Sequence, residues 1–161
     1  MKLFSQGFLD ELTARAAASP RLRAHHNVHP SPADLVQRFF VAARRDSYFR
    51  PHRHSARSEL ALVIRGQVDV VTFDAAGLVT ARYGIGQDTG NIGYETSQGT
   101  WHTLLVTSDE AVFLELKEGP YDPATAAEFA PWTPAEGHAA VRGFQQWLRE
   151  ARPGSAPPRQ T

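Results

Sequence analysis

The chain of 161 residues is long enough for one folded domain with its own hydrophobic core and too short for two of ordinary size. It carries 17 basic and 17 acidic residues, and this balance gives no indication of binding to nucleic acid or to an anionic membrane. Because the sequence contains no cysteine, disulfides, thiolate metal sites and a cysteine nucleophile are excluded.

The N-terminal segment has the pattern of a helix that packs on a domain. Apolar residues recur at helical spacing between Ser5 and Pro20, which predicts a helix within an extension at residues 1–24. No run approaches the ~20 apolar residues that a bilayer requires, and the N-terminus lacks the apolar core of a signal peptide. We therefore expect a cytoplasmic protein whose partners include neither a membrane nor a nucleic acid.

Three histidines, His25, His26 and His29, follow in a segment that precedes Pro30 and is predicted to be a loop. Such a cluster could form a second metal site. No carboxylate lies close to it in the sequence, however, so solvated or hydrogen-bonded histidines are the favoured interpretation.

An all-β domain is predicted for residues 25–133. Residues 35–43 form a short apolar run rich in phenylalanine and valine, which favours a strand over a helix. From Glu59 onwards, short strands alternate with turns and show no βαβ pattern. This spacing is typical of an antiparallel β-barrel or sandwich.

The stretch from Pro51 to Gly66 contains the residues that indicate a metal site. In an extended strand His52 and His54 project from one face, and Glu59 can approach them from the next strand. Imidazole and carboxylate together suit one divalent ion such as zinc, iron, manganese or nickel. His102 follows a glycine turn, from which a barrel could return it to the same interior.

Arg50 shares the face of His52 and His54 if the strand stays regular through Pro51. It could then hold a substrate carboxylate or phosphate by a bidentate contact, which makes it a candidate substrate-binding residue. A structural salt bridge to an acid of the barrel is the equally weighted alternative.

Glu115 and Lys117 share one face of a later strand with Phe113, while Leu114 and Leu116 share the other. Because the aliphatic face requires an apolar layer, we expect the mixed face to look into the barrel pocket. A buried glutamate and lysine must be paired or used. They are therefore either a structural ion pair or a substrate-facing acid and base.

The C-terminal part combines packing residues with a polar tail. Phe129 and Trp132 are expected to cover the barrel or a neighbouring subunit, and an apolar stripe at helical spacing predicts a helix within residues 134–151. The segment 152–161 is rich in proline, serine and arginine, which predicts disorder.

The pattern around the first histidines resembles the first motif of the cupin family. His52 and His54 are followed after four residues by Glu59, and after six more by Gly66. The glycine that usually opens this motif is replaced by Asp46. The resemblance implies a cupin-type antiparallel β-barrel, also called a double-stranded β-helix or jelly roll.

The second cupin motif is matched in part. Gly99 and His102 occupy its glycine and histidine positions, whereas Ser97 and Val106 replace its proline and asparagine. These replacements concern turns and scaffolding. The resemblance implies a mononuclear metal with four protein ligands, which are His52, His54, Glu59 and His102.

Several further segments resemble the WbuC family of cupin-fold metalloproteins. They are NVHP, VQR, RPHRH, ELKEGPYDP and FAPWTPAEG, and together they cover roughly residues 25–137. The family takes its name from a gene found among bacterial O-antigen and related polysaccharide clusters. Its reaction is not established, so the resemblance implies a fold and a site rather than a reaction.

Two functions are compatible with these residues. The first is a metal-dependent isomerase or epimerase, hydrolase or oxygenase that acts on a small polar or anionic molecule, such as a sugar or nucleotide-sugar derivative of polysaccharide biosynthesis. In that enzyme Glu115 or Tyr121 could move a proton and Lys117 could neutralise developing charge. The second is a non-catalytic module in which the metal and Arg50 hold a sugar or carboxylate ligand. We also expect a homodimer, because cupin barrels tend to pair through a sheet face.

Overall fold

The computed structural model describes residues 1–158. This part of the chain contains two helices, α1 (Gln6–Ala18) and α2 (Val141–Glu150), and ten strands. The strands are β1 (Arg23–Asn27), β2 (Val36–Arg44), β3 (His52–Arg53), β4 (Glu59–Arg65), β5 (Gln67–Phe73), β6 (Val79–Gly86), β7 (Gly93–Thr96), β8 (Trp101–Val106), β9 (Glu110–Glu118) and β10 (Glu128–Phe129). Neither helix is long and apolar enough to cross a membrane.

The strands form two five-stranded antiparallel sheets. Their orders are β1-β2-β9-β4-β7 in the first sheet and β10-β3-β8-β5-β6 in the second. After each strand the chain passes to the opposite sheet, except within the β1–β2 and β5–β6 hairpins, whose two strands lie in the same sheet. The predicted all-β fold of the cupin type, with a helix at each end, is therefore confirmed.

Alternation along β9 determines what faces the interior. Phe113 is buried between the sheets, and Glu115 and Lys117 follow it on the same face, where they line a cavity. Leu114 and Leu116 face outward on the first sheet. One end of the interior is therefore an apolar core, and the other end is polar and open.

Helix α1 covers part of the outer face of the first sheet. It begins at Ser5, whose Oγ accepts a hydrogen bond from the Phe8 N–H at 3.3 Å. Leu12 is almost fully buried between the helix and the sheet. The cluster at this contact comprises Leu9, Leu12, Ala16, Phe40, Ala42 and Val112.

Helix α2 packs on the second sheet through Phe144 and Leu148, which belong to a cluster with Phe73 and Trp101. It is shorter than the helix predicted within residues 134–151, because turns occupy the segment before its N-cap residue, Ala140.

The segment around the histidine cluster differs from the predicted loop. All five residues of β1 pair with β2, and His25 lies opposite Val41. The polar composition of β1 fits its position, because an edge strand pairs on one side only.

The C-terminal segment is also more ordered than its composition predicts. The Gly154 N–H donates to the Val79 carbonyl at 2.8 Å, and the Val79 N–H donates to the Ser155 carbonyl at 3.0 Å. The disorder predicted for residues 152–161 therefore does not apply to residues 152–158, and residues 159–161 lie outside the described part of the chain.

Candidate metal centre

Four side chains from three strands and one loop meet where the two sheets face each other. His52 on β3 lies directly opposite His102 on β8 in the second sheet, His54 follows β3, and Glu59 begins β4 in the first sheet. One nitrogen or oxygen from each residue lies within 4.8 Å of all the others, so the four could hold a metal ion. The structure thus brings together all four ligands that the motifs indicate.

The three imidazole rings are oriented by backbone carbonyls. The Nδ1 of His52 lies 2.9 Å from the Arg50 carbonyl oxygen, that of His54 lies 2.6 Å from Ala126 O, and that of His102 lies 2.9 Å from Thr100 O. Because a carbonyl only accepts hydrogen bonds, each Nδ1 is the protonated nitrogen when the ring is neutral. Each Nε2 then presents a lone pair, as in metal sites whose histidines are fixed by outer partners.

His102 supplies the observation that tests the fit of an ion. Its Nε2 is buried and has no hydrogen-bond partner among residues 1–158. A buried polar atom without a partner is costly, and a bound cation would remove that cost. The donor set of three imidazoles and one carboxylate fits zinc, iron, manganese and nickel.

Glu59 is the buried carboxylate of the centre. Its Oε2 lies 2.9 Å from His54 Nε2 and 2.6 Å from Lys117 Nζ, and its Oε1 accepts a hydrogen bond from the Tyr94 hydroxyl at 3.3 Å. Burial alone would raise the pKa of Glu59, but the positive charge of Lys117 and the neighbouring rings of His102 and His54 together hold that pKa well below its usual value. Glu59 is therefore ionised, as a metal ligand must be.

The electrostatics around Glu59 favour a cation next to the histidines. Burial would lower the pKa of His102, but the adjacent carboxylate of Glu59 raises it. Burial, assisted by the neighbouring His102, lowers the pKa of His52 to about 3, so His52 stays neutral. The site therefore attracts positive charge while keeping His52 available as a ligand.

Glu115 and Lys117 form an ion pair beside this centre. Lys117 Nζ lies 2.9 Å from Glu115 Oε2 and bridges it to Glu59. Burial and the negative charge of Glu59 raise the pKa of Glu115 in spite of Lys117. Burial would lower the pKa of Lys117, but Glu115 and Glu59 outweigh it and raise that pKa. Lys117 is therefore a permanent cation, whereas Glu115 holds a proton more readily than an ordinary glutamate.

The centre opens into a cavity of about 540 Å³. Its apolar wall includes Phe39, Phe49 and Leu104, and Phe129 lies on the wall next to the histidines. Tyr121, a candidate for proton transfer, is half exposed and also lines the cavity. The volume and the mixed wall are typical of a site for a small molecule.

Arg50 has partners other than those expected from the sequence. Its guanidinium donates to the Thr133 hydroxyl at 3.0 Å and to the carbonyls of Ala130 and Thr133, each at 3.3 Å. It does not line the cavity, and it has no acidic partner among residues 1–158. The reason is that β3 begins only at His52, so strand alternation does not extend through Pro51 to Arg50.

Sequence reasoning missed several residues of the site. Tyr94 contacts Glu59 from β7, and His25, His29 and Asn27 line the cavity from β1 and the loop after it. His29 accepts a hydrogen bond from the Arg38 N–H through Nδ1 at 3.0 Å, which agrees with the hydrogen-bonded histidines that we favoured. The one sequence signal for β1 was that His25 and Asn27 stand at alternate positions. Two positions are too few to indicate a strand.

The two packed antiparallel sheets have the cupin, or double-stranded β-helix, fold, and the histidine and glutamate cluster lies between them. A conserved protein with a double-stranded β-helix domain from Klebsiella pneumoniae is similar, with a TM-score of 0.56 and 14% identity over 81% of this chain and 97% of that one. An oxalate oxidase solved with glycolate gives a TM-score of 0.54 and 14% identity over 83% of this chain and 68% of that one. At such low identity the similarity concerns the fold alone.

The protein CapF, solved with the inhibitor 3-isopropenyl-tropolone, is a further structural neighbour. The TM-score is 0.56 and the identity 16%, over 65% of this chain. This chain matches only 30% of the length of CapF. The shared part is again the β-barrel.

The chain belongs to the family described as a domain of unknown function, DUF6016, whose model matches residues 4–85. The matched part includes α1 and three of the candidate ligands, His52, His54 and Glu59, whereas His102 lies beyond it. No curated protein matches the chain. This match does not confirm the resemblance to the WbuC family, whereas the cupin fold which that resemblance implied is present.

Proposed function

We propose that this protein holds one divalent metal ion through His52, His54, Glu59 and His102 and is a metal-dependent enzyme for a small polar or anionic molecule. The observation that carries the proposal is the convergence of three carbonyl-oriented imidazoles on a buried carboxylate at the base of a cavity. A bound ion would supply Lewis-acid chemistry or lower the pKa of a bound water.

The chain's own residues would position the substrate and move protons. Glu115 pairs with Lys117, which also contacts Glu59, and its raised pKa favours a role in proton transfer. Lys117 would hold Glu59 and neutralise negative charge that develops on the substrate. Tyr121, further along the wall, is a second candidate for proton transfer.

The substrate class that we propose is a sugar or nucleotide-sugar derivative of polysaccharide biosynthesis. The WbuC-like segments support this class. A capsular polysaccharide assembling protein, CapF from Staphylococcus aureus, shares the fold with a TM-score of 0.52. A cytoplasmic location and a homodimer complete the proposal.

A non-catalytic binding module is the alternative. It is favoured by the ion pair between Glu115 and Lys117, because two groups that neutralise each other can be purely structural. The metal would then retain a ligand without converting it.

The first experiment is elemental analysis of protein purified without a chelator or a metal-binding tag. We expect about one equivalent of a transition metal in the wild type and none in the His54→Ala/His102→Ala double variant, which should remain folded because the strands supply the core. His138→Ala, which removes an exposed histidine outside the cavity, is the matched control and should retain the metal. Full occupancy in the double variant, or no metal in the wild type after reconstitution, would refute the site.

Turnover then separates the enzyme from the binding module. Metal-loaded protein is incubated with a set of nucleotide sugars, and products are measured by mass spectrometry. An enzyme gives a product that depends on the metal and is strongly reduced in Glu115→Gln. Tight binding without a product, across several metals, would favour the alternative.

A further inference from the structure

The charged side chains that line the cavity already have ion-pair partners. Lys117 lies between Glu115 and the carboxylate of the metal centre. At the rim, Arg21 and Arg23 both contact Glu136, at 2.8 Å and 2.5 Å. Within residues 1–158, each cation of the wall therefore already has an acidic partner.

Strand β1 contributes neutral polar side chains that are still available. His25 and Asn27 line the cavity, whereas His26 between them faces α1 and packs edge-on against Phe8 at 4.9 Å. His25 and Asn27 keep exposed surface while the cavity wall covers part of each, and neither side chain has a hydrogen-bond partner in the described part of the chain. Such groups are ready to bond to a ligand.

The charge state of His25 determines what it can recognise. Burial by the cavity wall lowers the pKa of this ring to about 4, and the positive charges of Arg23, Arg21 and Lys117 act in the same direction. The ring is therefore neutral at pH 7 and offers one donor and one acceptor, and the amide of Asn27 also offers both. This combination matches hydroxyl groups, which likewise donate and accept.

Phe129 adds an aromatic surface next to the metal centre. It pairs with His52 in the sheet, its ring lies 6.2 Å from the His52 ring, and it is 52% exposed. The Arg50 guanidinium packs 5.1 Å from its ring centroid. Arg50 thus supports an aromatic face against which the C–H groups of a polyol or sugar can pack.

We propose that His25 and Asn27 form a hydroxyl-recognition subsite of the cavity, so that its ligand carries a neutral polyhydroxylated part in addition to the oxygens that bind the metal. The inference rests on the proposed function, because the metal would hold the other end of the ligand. The subsite narrows the proposed substrate class from polar or anionic molecules in general to polyols that carry an acidic group, such as sugar acids. The acidic group of such a ligand would bind the metal.

Two simple probes test this subsite. Glycolate and D-gluconate share an α-hydroxycarboxylate that can bind the metal, and gluconate adds a chain of hydroxyl groups. Zinc-loaded protein is titrated with each probe and followed by NMR. We expect gluconate to bind about tenfold more tightly, the effect of two ordinary hydrogen bonds, and to shift the Asn27 amide and His25 ring signals that glycolate leaves in place.

The His25→Ala/Asn27→Ala variant should lose this tenfold advantage while it keeps its zinc and its affinity for glycolate. His138→Ala is the control and should retain the advantage. Equal affinities for the two probes in the wild type, or an advantage that persists in the double variant, would overturn the subsite and leave the metal centre intact. Absence of both zinc and glycolate binding would overturn the proposed function and the subsite together.

Discussion

Three charged side chains contact one another in the interior, those of Glu59, Glu115 and Lys117. The side chain of Glu59 is only 3% exposed and that of Glu115 only 9%. Two carboxylates in so little water are tolerated because one ammonium group touches both. Lys117 is therefore expected to matter for stability whether or not it also acts in catalysis.

We expect Lys117→Met to lower the free energy of unfolding of the metal-free protein by about 3 kcal/mol, because it removes the cation that contacts both buried carboxylates. Glu115→Gln in the same chain should recover part of this loss. Urea denaturation measures both variants. The matched control is Arg44→Met, which removes an exposed pair with Glu110 and should cost no more than about 1 kcal/mol. A similarly small cost for Lys117→Met would contradict the interpretation.

His25 gives a prediction about acid sensitivity. Its pKa in the folded protein, about 4, is below the value of 6.5 for the unfolded chain, so the unfolded chain takes up the proton first as the pH falls. The free energy of unfolding should therefore decrease between pH 6.5 and pH 4, and His25→Gln should weaken that decrease. Urea denaturation at pH 7 and pH 5 measures the difference, and NMR titration of the His25 ring checks its cause. A midpoint near 6.5 would show that the prediction is wrong.

At the level of strands and turns, the structure explains why the first motif requires a glycine at position 66. Gly66 joins β4 to β5 with φ +73°, and a Cβ at this position would lie 2.1 Å from the Glu110 carbonyl oxygen. Only glycine combines that backbone conformation with such a close approach of two chain segments. Because Glu59 begins β4, this turn also fixes the strand that carries a candidate ligand.

We expect Gly66→Ala to destabilise the protein by at least about 2 kcal/mol, since neither the backbone nor its neighbour can move away cheaply. Gly143→Ala is the matched control. Gly143 lies inside α2 with nothing near its missing Cβ, so alanine there should stabilise the protein by about 0.5–1 kcal/mol. Chemical denaturation compares the two, and equal effects would contradict the argument.

For the assembled protein, the outer face of the first sheet suggests how two copies could pair. Helix α1 leaves part of this face uncovered. On the uncovered part, four paired residues from neighbouring strands form one row across the sheet: Arg38, Leu116, Leu60 and Glu95. Neither charged residue has an ion-pair partner in residues 1–158. A two-fold axis parallel to the strands would bring Arg38 of one copy against Glu95 of the other and cover the two leucines between them.

We therefore expect a homodimer by light scattering, and we expect Arg38→Glu to weaken it because like charges then meet across the axis. The charge-reversed variant Arg38→Glu/Glu95→Arg should restore the dimer. Arg142→Glu, on the partly exposed surface of α2, controls for the change in net charge. A monomer mass for the wild type over a range of concentrations would contradict the prediction.

Local patterns were sufficient for much of this protein. The alternation of β9, the spacing from His52 to Gly66 and the apolar repeats of the two terminal helices depend on residues close together in the chain. An all-β domain and three candidate ligands could be predicted from them, whereas the resemblance to the cupin motifs implied the type of barrel and the fourth ligand, His102. The same alternation placed Glu115 and Lys117 on the interior face. Strand geometry repeats every two residues, and for that reason a short sequence is enough to reveal it.

Other features depended on contacts between distant segments. Arg50 is directed away from the cavity because β3 begins after Pro51, and its partners lie about 80 residues further along the chain. The pairing of β1 with β2 brings His25 and Asn27 to the cavity, and Tyr94 reaches Glu59 from β7. None of these contacts has a local period, since each is determined by which strands become neighbours in a sheet. Only the folded arrangement of the two sheets could therefore place them.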